Sequence, residues 1–155
     1  MADDILTRIE QTIERSIEMY IGWLEKLVAV PSVAAQDFGI KPCAALVASM
    51  FEEQGYQAEI MQTEGSPVVY AEGGAGKKTL MFYNHYDVQP AEPMELWITP
   101  PFEMTRRDDK LYGRGVADDK GHIVARLAAL HAVRQVMDEI PCRVKFVIEG
   151  EEEIG

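Results

Sequence analysis

The first thirty residues alternate regularly between apolar and charged positions. Isoleucine, leucine or valine recurs every three or four residues, with acids and bases between them, at Ile5, Ile9, Ile13, Ile17, Ile21, Leu24 and Val28. This spacing is typical of an amphipathic helix, and it predicts one over residues 5–29 with the apolar stripe facing the core. Pro31 follows at once and ends the predicted helix.

A second helix is predicted to begin at Lys41, with Pro42 in its first turn at the first helical position, which favours proline. Gly55 follows the apolar positions of this helix, where a left-handed cap is expected. Apolar runs then predict strands at residues 56–61, 67–71, 79–83 and 142–148, and helical spacing predicts a third helix over residues 118–137.

The run at residues 79–83 is continuously apolar, which predicts a strand buried on both faces. Helices that alternate with apolar strands favour an α/β fold with a mixed sheet, in a single domain-sized chain of 155 residues. The final strand ends close to the end of the chain, so we expect it to lack sheet partners and to leave edges that favour aggregation.

Composition narrows the partners and the compartment. The formal net charge of −11 argues against nucleic acid and anionic membranes as partners. The two cysteines, Cys43 and Cys142, are too few for a disulfide framework, and the N-terminus is acidic where a secretory signal would be basic. Since no apolar run approaches the roughly 20 residues of a membrane span, we expect a cytoplasmic protein.

Polar residues follow two of the predicted strands and begin the third helix. His85 and Asp87 come just after one strand, Asp118 and Asp119 stand at the helix start, and residues 151–153 form a run of glutamates after the last strand. In open α/β sheets, ligands bind in the crevice outside the carboxyl ends of the strands. The three clusters are therefore expected to converge.

Histidine and carboxylates without cysteine suit a catalytic divalent metal such as zinc, cobalt or manganese. His85 and Asp87 are two residues apart and point the same way in an extended segment, so Asp87 can accept the proton of the ring nitrogen that does not bind metal. Glu152 and Glu153 are adjacent and could divide two tasks, one binding metal and the other holding a water.

Each cluster alone also has an ordinary structural interpretation. A histidine at a strand end is more often structural, an aspartate at a helix start is usually a cap, and a run of glutamates is usually solvated. His122 and His131 lie on the third helix without an acidic partner at useful spacing, and both are interpreted as structural. Only the combination of clusters indicates a site.

That combination resembles the M20 metallopeptidases. Residues 85–90 (HYDVQP), 113–121 (GRGVADDKG) and 149–155 (EGEEEIG) are similar to the three signature segments of the family. Leu96-Trp97 and residues 100–103 (PPFE) resemble its dipeptidase branch, the group similar to cytosolic non-specific dipeptidase and carnosinase. The resemblance implies a zinc-peptidase-like three-layer α/β/α sandwich with a mixed sheet, incomplete at the C-terminus.

The resemblance also implies a role for each site residue. His85 binds the first metal, Asp118 bridges two divalent metal ions, and Glu153 binds the second; Asp87 orients His85, and Glu152 is the general base. The ions are expected to be zinc, with manganese or cobalt as alternatives. The peptide bond after Asp118 is expected to be cis, and Glu151, which has no implied role, is expected to be solvated.

The implied reaction is hydrolysis of dipeptides or short peptides by a metal-activated water. Residues 1–155 would be the N-terminal part of the catalytic domain, with the dimerisation or lid domain, the rest of the catalytic domain and the remaining metal ligands lying beyond Gly155. We therefore expect this chain alone to be inactive and its full-length parent to be a homodimer. The alternatives are a deacylase of N-acyl amino acids and a non-catalytic metal-binding module.

Overall fold

The structure, a computed structural model, describes residues 2–154. It contains three α-helices, α1 (Ala2–Val28), α2 (Ile40–Glu53) and α3 (Lys120–Met137). The strands, in chain order, are β1 (Gln57–Met61), β2 (Val68–Gly73), β3 (Thr79–His85), β4 (Thr105–Arg107), β5 (Lys110–Tyr112) and β6 (Arg143–Glu149). Single 3-10 turns occur at Ala34–Gln36, Met94–Leu96 and Glu152–Ile154.

Four strands form a mixed sheet in the order β1-β2-β6-β3. The pairs β1–β2 and β2–β6 are antiparallel, whereas β3 and β6 run parallel, with α3 in the connection between them. The strands β4 and β5 form a separate antiparallel hairpin. The predicted α/β fold with a mixed sheet is confirmed.

The core lies between one face of this sheet and all three helices. Alternate side chains of β2 and β6 point to that face and are fully buried: Val69, Ala71, Val144, Phe146 and Ile148. The ring of Phe146 stacks on that of Phe82 and meets that of Phe51 edge-on, with centroids 5.0 and 4.6 Å apart. These contacts fix the helices against the strands that lead to the polar clusters.

The apolar stripe of α1 is only partly buried, contrary to the prediction of a wholly core-facing stripe. Leu24 and Val28 near the C-terminal end are buried, but Ile17 is 44% exposed and Ile9 is half-buried. The reason is that α1 packs mainly on α3 and touches α2 only slightly. A helix with one main neighbour buries a narrow stripe.

Most of β3 before Asn84 is exposed, so the prediction that the run at residues 79–83 is buried on both faces is wrong. Met81 is 63% exposed, and Leu80 and Tyr83 are also exposed. Within residues 2–154, β3 is an edge strand and the helices cover only one face of the sheet. The prediction that the final strand, β6, lacks sheet partners is also wrong, because β6 lies between β2 and β3 and pairs with both.

The helix ends are close to their predicted places. Pro42 is the third residue of α2 rather than the first, since the helix begins at Ile40; the backbone N–H groups of the whole first turn lack intrahelical partners, so proline is tolerated there. Gly55 has φ of +79°, which confirms the predicted left-handed position after α2. In the part of the chain that the structure describes, every helix is too short or too polar to cross a membrane.

Candidate metal centre

The site begins where the two parallel strands end. His85, the last residue of β3, is the Cα partner of Glu149, the last residue of β6. The N–H of Tyr86 donates to the carbonyl of Glu149 at 2.8 Å and extends this pairing by one residue. The segments that follow β3 and β6 therefore leave the sheet side by side, at the edge where ligands bind in open α/β sheets.

The segment after β3 is held on both sides. The Ser32 hydroxyl donates to the carbonyl of Tyr86 at 2.6 Å, and the N–H of Val88 donates to the carbonyl of Ser32 at 2.8 Å. The Tyr86 hydroxyl donates to the carbonyl of Pro67 at 2.7 Å. A Cβ at position 150 would overlap the Tyr86 ring and hydroxyl, so only Gly150 lets β6 pass this closely.

Asp87 joins this segment to the residues after β6. Its fully buried carboxylate accepts hydrogen bonds from the N–H of Glu152 at 3.2 Å and from that of Glu153 at 2.9 Å. Its Oδ1 also lies 3.3 Å from Nδ1 of His85, which is 3.1 Å from the Asp87 carbonyl. With Nδ1 occupied as a donor, Nε2 of His85 is the nitrogen that faces the other acids.

The remaining predicted residues surround that nitrogen. Asp118 Oδ1 lies 3.0 Å and Glu152 Oε2 4.0 Å from Nε2 of His85. One ligand atom each from His85, Glu152 and Glu153 lies within 4.8 Å of the others. Glu153 Oε2 also accepts a hydrogen bond from the Gln89 amide at 2.7 Å. The structure thus brings all five predicted site residues together, with Asp87 and His85 buried beneath the more exposed Asp118, Glu152 and Glu153.

The charge around His85 favours its cationic form. Burial lowers the pKa of the imidazole, but the hydrogen bond and charge of Asp87, with contributions from Asp119 and Asp118, outweigh burial and raise the pKa to about 9. The same group of carboxylates creates a negative field that suits a divalent cation.

The turn before α3 contains a residue whose part in the site the sequence did not reveal. The peptide bond Asp118–Asp119 is cis, as the resemblance implied. The Asp119 carboxylate turns toward β3 instead of capping α3: Oδ2 accepts from Asn84 Nδ2 at 2.7 Å and from the N–H of His85 at 3.1 Å. Its Oδ1 accepts from His122 Nδ1 at 2.6 Å.

His122 therefore has an acidic partner, and the prediction that it has none is wrong. The partner stands three residues earlier, just before the first turn of α3, and residues three apart are neighbours on a helix. The i, i+3 spacing of Asp119 and His122 was the signal that could have identified this pair.

The donor set can be tested against a metal. One imidazole and three carboxylates, without a thiolate, match the ligands of catalytic zinc, manganese and cobalt sites. The second ring nitrogen of His85 is held by a buried aspartate, as is usual for histidine ligands. The residues present fit a divalent metal.

Residues 81–155 match Peptidase family M20/M25/M40. Across 87% of its length the chain superposes, with a TM-score of 0.82 and 39% identity, on 31% of a solved structure, "a M20 family metallo-carboxypeptidase Sso-CP2 from Sulfolobus solfataricus". The chain belongs to the M20 peptidase family.

Curated relatives match at similar levels. A beta-Ala-His dipeptidase from Homo sapiens is 32% identical over 97% of this chain and 33% of the relative. A succinyl-diaminopimelate desuccinylase from Janthinobacterium sp. (strain Marseille) is 35% identical over 83% of this chain and 34% of the relative. The chain spans about a third of the length of these relatives.

Glu151 of this M20 chain has a structural contact that contradicts the prediction of a solvated side chain. Its Oε2 accepts a hydrogen bond from the N–H of Ser66 at 2.8 Å, and the carboxylate lies against Gly65. The acid therefore ties the turn after β6 to the connection between β1 and β2. The partner is 85 residues away, so no local pattern indicates it.

Lys120, the residue after Asp119, anchors the site turn to the first helix. Its side chain is fully buried, and Nζ donates to the carbonyls of Val30 at 2.7 Å and Leu27 at 3.1 Å. Burial lowers the pKa of this ammonium group. A cation at the C-terminal end of α1 also complements the helix dipole.

Proposed function

We propose that this M20 chain carries part of the metal centre of a hydrolase that cleaves peptide bonds in dipeptides or short peptides. The observation that carries the proposal is the convergence of ligand atoms from His85, Glu152 and Glu153 within 4.8 Å, with Asp118 Oδ1 3.0 Å from the same histidine nitrogen. The dipeptidase among the relatives supports the substrate class.

Three of these residues are proposed metal ligands: His85 and Glu153 for one ion each, and Asp118 for both. Zinc is the expected metal, with manganese or cobalt as alternatives. When bound, such ions polarise an amide carbonyl and lower the pKa of water toward neutrality.

Glu152 is the proposed general base. Its carboxylate is about half exposed, while its backbone N–H is fixed by Asp87, so the side chain is anchored and still accessible to substrate. It would take a proton from the attacking water and return it to the leaving amine. Asp87 keeps a proton on Nδ1 of His85 and leaves Nε2 free to bind the metal.

The experiment that tests this function combines binding with turnover. Zinc titration calorimetry of the full-length protein should show binding that His85→Ala weakens strongly. Hydrolysis of Ala-Ala should require the metal and be lost in Glu152→Gln. Absence of zinc binding by the wild-type protein, or hydrolysis that survives Glu152→Gln, would contradict the proposal.

The 155-residue chain alone is expected to bind metal weakly and to turn over little substrate. Counting Asp118 for both ions, each would have two protein ligands here, whereas catalytic zinc normally has three. Dipeptide hydrolysis by the isolated chain that Glu152→Gln abolishes would refute this expectation.

A second candidate is a deacylase, because the desuccinylase relative cleaves a different kind of amide and is 35% identical to this chain. The two functions can be distinguished by comparing the rates at which the two kinds of substrate are hydrolysed. Faster hydrolysis of N-acetyl amino acids than of Ala-Ala by the full-length protein would favour the deacylase. Tight zinc binding without hydrolysis of either would favour a non-catalytic metal-binding module.

A further inference from the structure

Three hydrogen-bond donors, two at the end of β3 and one in the first turn of α3, converge on the carboxylate of Asp119. They are the amide of Asn84, the N–H of His85 and the ring of His122, at 2.7, 3.1 and 2.6 Å. The Asp119 side chain is only 14% exposed, so these contacts replace most of its water. A nearly buried carboxylate with three donors has one well-defined orientation.

We propose that Asp119 is a positioning residue for the metal centre, an inference that rests on the proposed function. Its Oδ2 holds the backbone of His85, and its own backbone is covalently joined to Asp118. One side chain thereby couples two proposed ligands that are 33 residues apart in the chain. Both bonds to β3 leave Nε2 of His85 and Oδ1 of Asp118 facing each other at 3.0 Å.

Asn84 and Arg126 extend this arrangement to the body of α3. Asn84 is 1% exposed, and its Oδ1 accepts a hydrogen bond from Arg126 Nη1, which directs Nδ2 toward Asp119. The same Nη1 donates to the carbonyl of Tyr83 at 2.6 Å, and the guanidinium lies 5.4 Å from the ring centroid of Phe82. Arg126 therefore fixes the amide orientation that Asp119 requires.

The expected change in zinc affinity can be estimated from residues in other metal sites that do not bind the metal but orient one of its ligands. Loss of a group that orients a ligand typically lowers metal affinity 10- to 100-fold. A purely structural role would instead lower the stability of the metal-free protein and leave zinc affinity unchanged. Zinc affinity therefore separates the two roles.

The test measures zinc affinity by calorimetry and the unfolding midpoint in chelator for the full-length protein. Asp119→Asn keeps the shape but leaves one oxygen for three donors, and we expect about tenfold weaker zinc binding. Asn84→Ala should weaken zinc binding as well. The double variant should bind zinc no more weakly than the weaker single variant, because Asn84 acts through Asp119.

The matched control is Arg134→Ala. Arg134 is on the same helix as Arg126 but lies near Gly55, at the far end of the sheet, so this variant should bind zinc like the wild type. If Asp119→Asn does not fold, the half-buried Arg126 gives a second test: Arg126→Ala should weaken zinc binding and Arg126→Lys should restore part of it. Failure of the wild type to bind zinc would overturn the proposed function. Zinc binding that is normal in the wild type and unchanged in these variants, or additive losses in the double variant, would overturn the positioning role alone.

Discussion

The N–H of Glu153 donates to Oδ2 of Asp87 across 2.9 Å, and this bond joins the turn after β6 to the segment after β3. The other oxygen of the same carboxylate lies 3.3 Å from Nδ1 of His85 and accepts from the N–H of Glu152. Asp87 therefore does more than orient an imidazole, because it sets the distance between the proposed histidine ligand and the two glutamates.

Replacing Asp87 should destabilise the protein even without metal. In Asp87→Ala, two backbone N–H groups lose their acceptor and the His85 imidazole keeps only the backbone carbonyl, so we expect the free energy of unfolding to fall by about 2 kcal/mol or more. Urea unfolding in chelator measures the loss. Asp87→Asn retains one acceptor and the same shape, so its loss should be smaller; an unchanged unfolding curve for Asp87→Ala would contradict the role described for this carboxylate.

The adjacent glutamates should differ in their effects. Glu153→Gln should weaken zinc binding in the full-length protein, because it removes a proposed charged ligand. Glu152→Gln should bind zinc nearly as well as the wild type but lower kcat for Ala-Ala by about 10²- to 10⁴-fold, the usual contribution of a general base. Calorimetry and steady-state kinetics on the two variants give both quantities, and equal effects on zinc affinity would argue against the division of roles.

Gly150 should not tolerate a side chain. In Gly150→Ala the new methyl group would overlap the Tyr86 ring, and we expect about 1–3 kcal/mol of destabilisation from overpacking. The control is Gly22→Ala in α1, where a Cβ meets no heavy atom within 4 Å among the described residues. That change should stabilise the helix by up to about 1 kcal/mol. Thermal unfolding that shifts equally in both variants would refute the overlap.

The pair Tyr20–His131 predicts a pH dependence of stability. Burial, assisted by the charge of Arg134, lowers the pKa of His131, whose Nδ1 lies 2.9 Å from the Tyr20 hydroxyl. The folded state therefore binds a proton on His131 more weakly than the unfolded state does. The contribution of neutral His131 to the free energy of unfolding is complete above the unfolded pKa of about 6.5, and it is lost as the pH falls below that value.

Urea unfolding between pH 5 and pH 8 measures this effect. The free energy of unfolding of His131→Gln should fall less steeply below pH 6.5 than that of the wild type. Identical slopes for the two proteins would exclude His131 as a source of acid sensitivity.

The exposed edge of the sheet should make the isolated chain associate. Met81 and Tyr83 lie exposed on β3, whose outer edge is unpaired within residues 2–154. Met81→Lys should reduce self-association, because a charge on an edge strand disfavours pairing with a second edge. Sedimentation velocity of the 155-residue chain tests this, with the thermal midpoint expected to stay nearly constant; unchanged association would place the contact elsewhere.

The sequence identified the site residues that follow the strands better than it identified the residues that hold them in position. The pairing of His85 with Asp87 could be predicted from their spacing of two residues in an extended segment. The strands and helices could be predicted from the periodicity of their apolar residues. Asn84 and Asp119 could not be paired, because they are 35 residues apart and meet only through the packing of α3 beside β3.

The exposure of Met81 was missed for a related reason. An apolar run predicts a strand, but the order of strands in the sheet decides whether that strand is central or at an edge. Strand order depends on the paths of the connections, which hydrophobic patterns do not encode.

The rate at which Lys120 is acylated can measure how often the fold opens near the site. Its amine is sealed beneath the end of α1 and hydrogen-bonded to two carbonyls, so an acylating reagent can reach it only when α1 lifts away. The rate at which Lys120 is acylated, followed by peptide mass spectrometry, thus reports how often this part of the native fold opens. Lys120, two residues after the proposed ligand Asp118, thus reports local unfolding of the native protein.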